Sequence, residues 1–180
     1  MAITPTFGIV GFSGSGKTTL ATRLVRRLVE EGLRVAAVKH THHELNGDRR
    51  GDSALLAGAG AEPVLLCRAG DAVEFSRDGV RTVAYRNVED LRAGLQAEVV
   101  VIEGFKASGG WPRIVVWRAG GEAWDAWQEV VAVTAHGEGV EGGNRAAALR
   151  GLPFFDSDQI EELRGFLDRI QTERSSSFGC

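Results

Sequence analysis

Residues 11–18 read Gly11-Phe12-Ser13-Gly14-Ser15-Gly16-Lys17-Thr18, between the apolar run Phe7-Gly8-Ile9-Val10 and a stretch with helical periodicity. Gly11, Gly14 and Gly16 let the backbone turn sharply between a buried strand and a helix. The spacing G-x-x-x-x-G-K-[ST] in that setting is a phosphate-binding loop. Successive N–H groups point into one concavity, an anion nest. The nest stands at a helix N-terminus, where unpaired N–H groups and the helix dipole favour phosphate. Lys17 can reach the terminal phosphates, and the Thr18 hydroxyl is placed for Mg²⁺, which takes hard oxygen ligands. Gly11, Ser13, Gly14, Ser15, Gly16, Lys17, Thr18 and Thr19 are therefore the candidate nucleotide contacts.

The rest of the chain alternates between the two periods that such a loop needs around it. Leu20, Leu24 and Leu28 repeat at i+4, predicting a helix from Lys17 to Glu31 that stops at Gly32. Leu33 to Val38 reads as a strand buried on both faces, so the first unit is a right-handed βαβ. A polar segment, 40–51, precedes a short helix capped by Asp52 or Ser53. Strands are expected at 63–67, 99–102, 114–117 and 130–133, and 72–76 with 80–85 form a hairpin turning on Asp78-Gly79. Asn87 caps a helix carrying Val88, Leu91 and Leu95. Gly137–Gly143 reads as a surface loop. The last helix opens near Asp158 with Glu161 three residues on, a capping-box spacing. The fold class is α/β: a three-layer P-loop NTPase sandwich, its sheet mostly parallel with a β-hairpin insertion. Residues 1–171 form a single nucleotide-binding domain and 172–180 a frayed, flexible tail. The ligand is expected at the carboxyl ends of the strands.

Composition narrows the partners. Of 180 residues, 21 are Lys or Arg and 24 Asp or Glu, a net charge of −3, which gives no basic footprint for nucleic acid. Cys67 and Cys180 are the two cysteines, too few for a disulfide framework or a metal cluster. No apolar stretch reaches the ~20 residues that span a bilayer, and the N-terminus lacks the features of a signal peptide. The expectation is a cytoplasmic protein without nucleic-acid or membrane partners.

A second group of candidates lies near the same sheet edge. Val99-Val100-Val101-Ile102 delivers the Glu103 carboxylate there, where it can hold Mg²⁺ with Thr18. Lys39-His40-Thr41-His42-His43 follows the second strand. Its side chains can contact phosphate or an anionic partner, assist proton transfer, or bind a transition metal. Adjacent His42 and His43 face opposite ways in an extended chain, which makes them a poor chelating pair. Asp52 either caps its helix or reaches the Mg²⁺ shell. Lys106 and Arg113 flank a Gly-rich turn and face phosphates or solvent. No residue is assigned as catalytic. The Asn-Lys-x-Asp signature of Ras-type guanine recognition is absent; the late strand leads into Val133-Thr134-Ala135-His136.

Taken in order, Gly11 to Thr19, Val38-Lys39-His40-Thr41-His42-His43, Gly51-Asp52-Ser53 with Ala59-Gly60-Ala61, and Ile102-Glu103-Gly104-Phe105-Lys106 resemble the molybdopterin-guanine dinucleotide biosynthesis adaptor family, MobB. The resemblance runs from Phe7 to about Ile170. It implies a GTP-binding homodimer with weak GTPase activity. Such a protein helps a molybdenum cofactor guanylyltransferase attach GMP to molybdopterin, which itself is a further possible ligand. It also implies that Gly14 to Thr19 hold the phosphates, that Thr18 and Glu103 lie near Mg²⁺, and that residues 39–43 line the same site. The chain departs from the family pattern at Asp48-Arg49-Arg50-Gly51-Asp52-Ser53, one residue shorter, and at Thr134-Ala135-His136. Two other functions share parts of this pattern. One is an ATP-dependent small-molecule kinase or ligase resembling dethiobiotin synthetase, and the other a GTPase for metal insertion.

Overall fold

A computed structural model describes residues 4–41, 51–68, 70–120, 124 and 127–177. Its centre is strand β1, Thr6–Gly11, buried along its whole length. Helix α1, Lys17–Glu30, follows the glycine loop and leads to β2, Val35–His40. Then come α2 (Asp52–Gly58), β3 (Val64–Arg68), and the hairpin of β4 (Asp71–Ser76) and β5 (Gly79–Ala84). Helix α3 (Val88–Ala93) precedes β6 (Val99–Glu103), β7 (Arg113–Val116) and β8 (Val130–Ala135). A 3-10 turn, Gly137–Gly139, opens α4 (Val140–Ala148), followed by β9 (Phe154–Asp156) and α5 (Ile160–Ser177).

Among the described residues the sheet has nine strands in the order β5-β4-β3-β2-β6-β1-β7-β8-β9. All pairs are parallel except β4–β5, the hairpin itself, and β3–β4, which joins the hairpin to the sheet. The mostly parallel sheet with a hairpin insertion is thus as expected. Period-two alternation gives each central strand two apolar faces. Phe7, Ile9, Val35, Ala37, Val99, Val101, Ile114 and Val116 meet Leu20, Leu24 and Leu28 of α1 and Leu163 and Leu167 of α5. Each such fully buried leucine stabilises the fold by roughly 1.5–3 kcal/mol. On the opposite face Ala36, Val38, Val100 and Ile102 pack with Val88, Leu91 and Trp111, and Val10, Val115 and Val133 with Ala147 and Trp124. Among the described residues, no helix is long and apolar enough to cross a membrane.

Several local expectations change. Gly137–Gly143 is not a loop: it holds the 3-10 turn and the start of α4. The glycines there serve packing, because a Cβ at Gly142 would lie 2.2 Å from Trp117 Cη2 and one at Gly143 2.9 Å from Ala135 Cβ. Asp52 and Ser53 do not cap α2; Gly51 is its N-cap, with no side-chain cap bond. Asn87 does cap α3, its Oδ1 accepting from Asp90 N at 2.7 Å. Asp158 and Glu161 form no capping box. They pair instead with Arg23 and Arg27 of α1, tying α5 to α1. The tail expected from Thr172 gives way to helix through Ser177, where Arg174 pairs with Glu129 at 3.0 Å.

Candidate functional site

The carboxyl end of β1 opens into the glycine loop, and α1 begins at its far side. Gly16 adopts φ 93° and ψ 16°, a left-handed turn that glycine takes without steric cost. The first bond of α1 runs from Leu20 N to Gly16 O at 3.0 Å. The N–H groups of Lys17, Thr18 and Thr19 therefore have no partner within the helix. Lys17 Nζ lies across the loop and donates to Phe12 O at 2.7 Å. Burial pushes the Lys17 ammonium below its ordinary pKa, against the opposing pull of Glu103. Lys17 is thus a half-buried cation beside amides that the helix leaves without partners, an arrangement that favours an anion with several oxygens.

Two strands deliver the rest by simple alternation. Val35, Ala37 and Lys39 point to the α1 face from β2, and Val99, Val101 and Glu103 do so from β6. The register pairs Lys39 with Glu103, so the charged residues arrive together where the apolar run ends. Both are buried, at 8% and 4% exposure. Thr18 Oγ1 donates to Glu103 Oε1 at 3.0 Å. Lys39 Nζ lies 2.5 Å from Glu103 Oε1 and 2.9 Å from Asp52 Oδ2. Freed from capping, Asp52 faces this site from the first turn of α2.

A cleft of about 980 Å³ joins these groups; Lys17, Thr18, Lys39, Asp52, Glu103 and Lys106 are among its lining residues. Thr18 and the two carboxylates offer hard oxygens, and Glu103 Oε2 is buried with no hydrogen-bond partner among the described residues. These donors fit Mg²⁺, which uses one or two carboxylates plus phosphate and water rather than an all-protein cage. Among the described residues, no group of three or more His, Cys, Asp and Glu converges to hold a metal.

The remaining candidates separate. His40 lines the cleft but stacks edge-on against Phe105, with ring centroids 5.1 Å apart. Gly104 at φ 89° is needed there, since a Cβ would lie 2.9 Å from His40 Cβ. Lys106 Nζ stands 4.6 Å from the Phe12 ring centroid and 4.9 Å from that of Trp127, linking the β6–β7 segment to the glycine loop. Burial lowers the Lys106 pKa. Arg113, expected to face phosphates or solvent, does neither. It is 1% exposed and its Nη1 donates to Lys106 O at 2.9 Å. His42, His43 and Asp48 lie outside the described residues.

Sequence reasoning missed two contributors. Arg118 Nη1 donates to Ser13 O at 2.5 Å, bracing the loop from the end of β7. His136 closes on Gly16, where a Cβ would lie 3.2 Å from its Nε2. Both line a second cleft of about 750 Å³, with Trp117, Glu138, Glu141 and Arg145. The one available signal was position: each follows the end of an apolar strand at the ligand-binding edge.

The family model for MobB, molybdopterin guanine dinucleotide synthesis protein B, matches residues 6–136. A molybdopterin-guanine dinucleotide biosynthesis adapter protein of Haemophilus influenzae is 33% identical over 57% of this chain and 57% of its own length. That of Escherichia coli is 40% identical over 34% of this chain and 36% of its own. The matched regions thus span about half or less of these curated relatives. The crystal structure of a MobB protein homolog from Bacillus stearothermophilus superposes with a TM-score of 0.53 at 25% identity, covering 93% of this chain and 98% of that one. With its glycine loop, its Glu103 and the family model matching well over half its length, the chain belongs to the MobB family.

Proposed function

We propose that this protein is a GTP-binding adapter, at most a slow GTPase, that supports a guanylyltransferase in attaching GMP to a molybdenum-bearing pterin. The observation that carries the reading is the 3.0 Å bond between Thr18 Oγ1 and Glu103 Oε1 at the mouth of the amide nest. In this reading the amides after Gly14 and the Lys17 ammonium hold the phosphates, and Thr18 and Glu103 hold Mg²⁺. Bound Mg²⁺ would neutralise charge on the terminal phosphates. Arg118 and Lys106 keep the loop in shape from either side. The cleft between β7 and α4 is suited to the nucleoside. Glu138 and Glu141 stand on its wall, and a carboxylate can accept from the paired N–H donors of a guanine edge, which adenine lacks. The naming of the curated relatives as adapters supports a role through a partner enzyme rather than through rapid turnover. A homodimer in the cytoplasm completes the proposal; β5, with Val80, Arg81 and Thr82 exposed, is an edge on which a second copy can be sought by light scattering.

Calorimetric titration with Mg·GTP and Mg·ATP tests the core of this reading in the wild type and in Lys17→Ala. The expected result is preference for GTP and loss of most of the affinity in the variant. Equal affinity for both nucleotides would overturn the adapter reading and favour the alternative, an ATP-dependent kinase or ligase.

A further inference from the structure

We propose that Lys39 is the resident cation of this site, its ammonium holding the oxygens that a divalent ion would use, so that metal enters only by displacing it. The inference rests on the assignment of Thr18 and Glu103 to Mg²⁺. Three oxygens surround Lys39 Nζ: Glu103 Oε1 at 2.5 Å, Asp52 Oδ2 at 2.9 Å and Thr18 Oγ1 at 3.1 Å. They match the three N–H donors of an ammonium in number. They are hard donors of the cleft, and the unpaired Glu103 Oε2 belongs to the same carboxylate, within the field of the same ammonium. Mg²⁺ takes oxygen at about 2.0–2.1 Å, so it cannot share them with a cation already in hydrogen-bonding contact.

The strand register makes this occupancy a property of the fold. Lys39 stands beside Glu103 across the β2–β6 pair, and both side chains are buried. Without a cation, the buried Glu103 and the half-exposed Asp52 would face each other as like charges. Lys39 removes that repulsion in the nucleotide-free protein. It also excludes free divalent ions, because a second positive centre among these oxygens is repelled. A metal arriving with phosphates meets a different balance. The stem of Lys39 is fixed in β2, but its ammonium can turn toward the phosphate oxygens and leave the carboxylates to the metal. Metal and nucleotide are then taken up together, and neither carboxylate is left uncompensated.

The test is Mn²⁺ binding followed by electron paramagnetic resonance without nucleotide, on wild type, Lys39→Met and Lys39→Met with Glu103→Gln. The wild type is expected to bind Mn²⁺ at least tenfold more weakly than Lys39→Met, and the double variant to fall back toward wild type. A folded Lys39→Met protein that binds Mn²⁺ no more tightly than wild type overturns the inference. If that variant does not fold, side-chain NMR of ¹⁵N-lysine-labelled wild type decides. The Lys39 ammonium resonance must move when Mg·GTP is added, and an unchanged resonance at saturation overturns the displacement. Mn²⁺ uptake by the wild type with GTP separates the two readings. Its absence sinks the metal assignment and this inference together. Its presence, with no gain in Lys39→Met, sinks the inference alone.

Discussion

Replacing Gly142 with alanine sets two effects of opposite sign against each other. Gly142 lies in the first turn of α4, and Gly→Ala within a helix ordinarily stabilises by at most roughly 0.5–1 kcal/mol. Here the added Cβ would lie 2.2 Å from Trp117 Cη2, 2.7 Å from Cζ3 and 3.0 Å from Cζ2. Carbon pairs prefer about 3.5–4.0 Å, so the indole ring or α4 must move by more than 1 Å. Overpacking of that kind costs about 1–3 kcal/mol, which matches or exceeds the propensity gain. Gly142→Ala is therefore expected to destabilise by up to about 2.5 kcal/mol net, the larger cost less the smaller gain. Urea unfolding measures it, and near-UV circular dichroism reports the displaced indole. Trp117→Leu removes the obstructing ring, and in that background the same substitution is expected to become neutral or stabilising. Net stabilisation by Gly142→Ala in the parent protein, or the same penalty in both backgrounds, would refute the argument that ring contact keeps glycine in this helix.

Two further outcomes follow from burial and from the C-terminal helix. Burial raises the Cys67 thiol pKa to about 12 from an ordinary 9.0, against a hydrogen bond with Tyr85 that lowers it. The unfolded chain ionises first, so stability contributed by the neutral thiol is complete below pH 9 and is lost as pH rises toward 12. Cys67→Ala is expected to show a shallower decline over that window in urea unfolding, and alkylation of Cys67 at pH 8 in a Cys180→Ser background is expected to be negligible until the protein unfolds. Parallel stability curves or rapid native alkylation would contradict this. Ending the chain after Gln171 removes the partly exposed Arg174–Glu129 pair and the last turns of α5. It is expected to cost about 1 kcal/mol and to reduce the helical signal at 222 nm; no change in either would mean that these turns contribute nothing.

The βαβ core was legible because its signals are local and agree with one another: i+4 leucines in α1, unbroken apolar runs in β1 and β6, and glycines at the loop between them. The elements that escaped are set by contacts remote in sequence. Gly142 and Gly143 read as loop because their helix propensity is poor, yet α4 forms where Trp117, Ala135 and Phe154 leave no room for a side chain. β9 is three residues, Phe154–Asp156, too short to show a period. Asp158 and Glu161 have capping spacing, but charge-assisted bonds to Arg23 and Arg27 take their carboxylates. Arg113 read as facing phosphates or solvent because its charge said nothing of the Lys106 carbonyl, which only the folded β6–β7 segment brings to it.

The site divides in the same way. The glycine loop, Thr18 and Glu103 could be found by motif, since each is defined by its neighbours along the chain. Lys39 and Asp52 could be named as candidates, but their roles could not be read, because those depend on register. In the observed pairing Ala37, Val38 and Lys39 stand opposite Val101, Ile102 and Glu103. A slip of one residue would set Lys39 against Ile102 and send it to the opposite face from Glu103. That slip would expose Ala37 or Val101 from the core they share with α1, so apolar packing below determines which charges meet above. The ion cluster is thus a consequence of the core, and substitutions that shift β2 against β6 will disturb it without touching a charged residue.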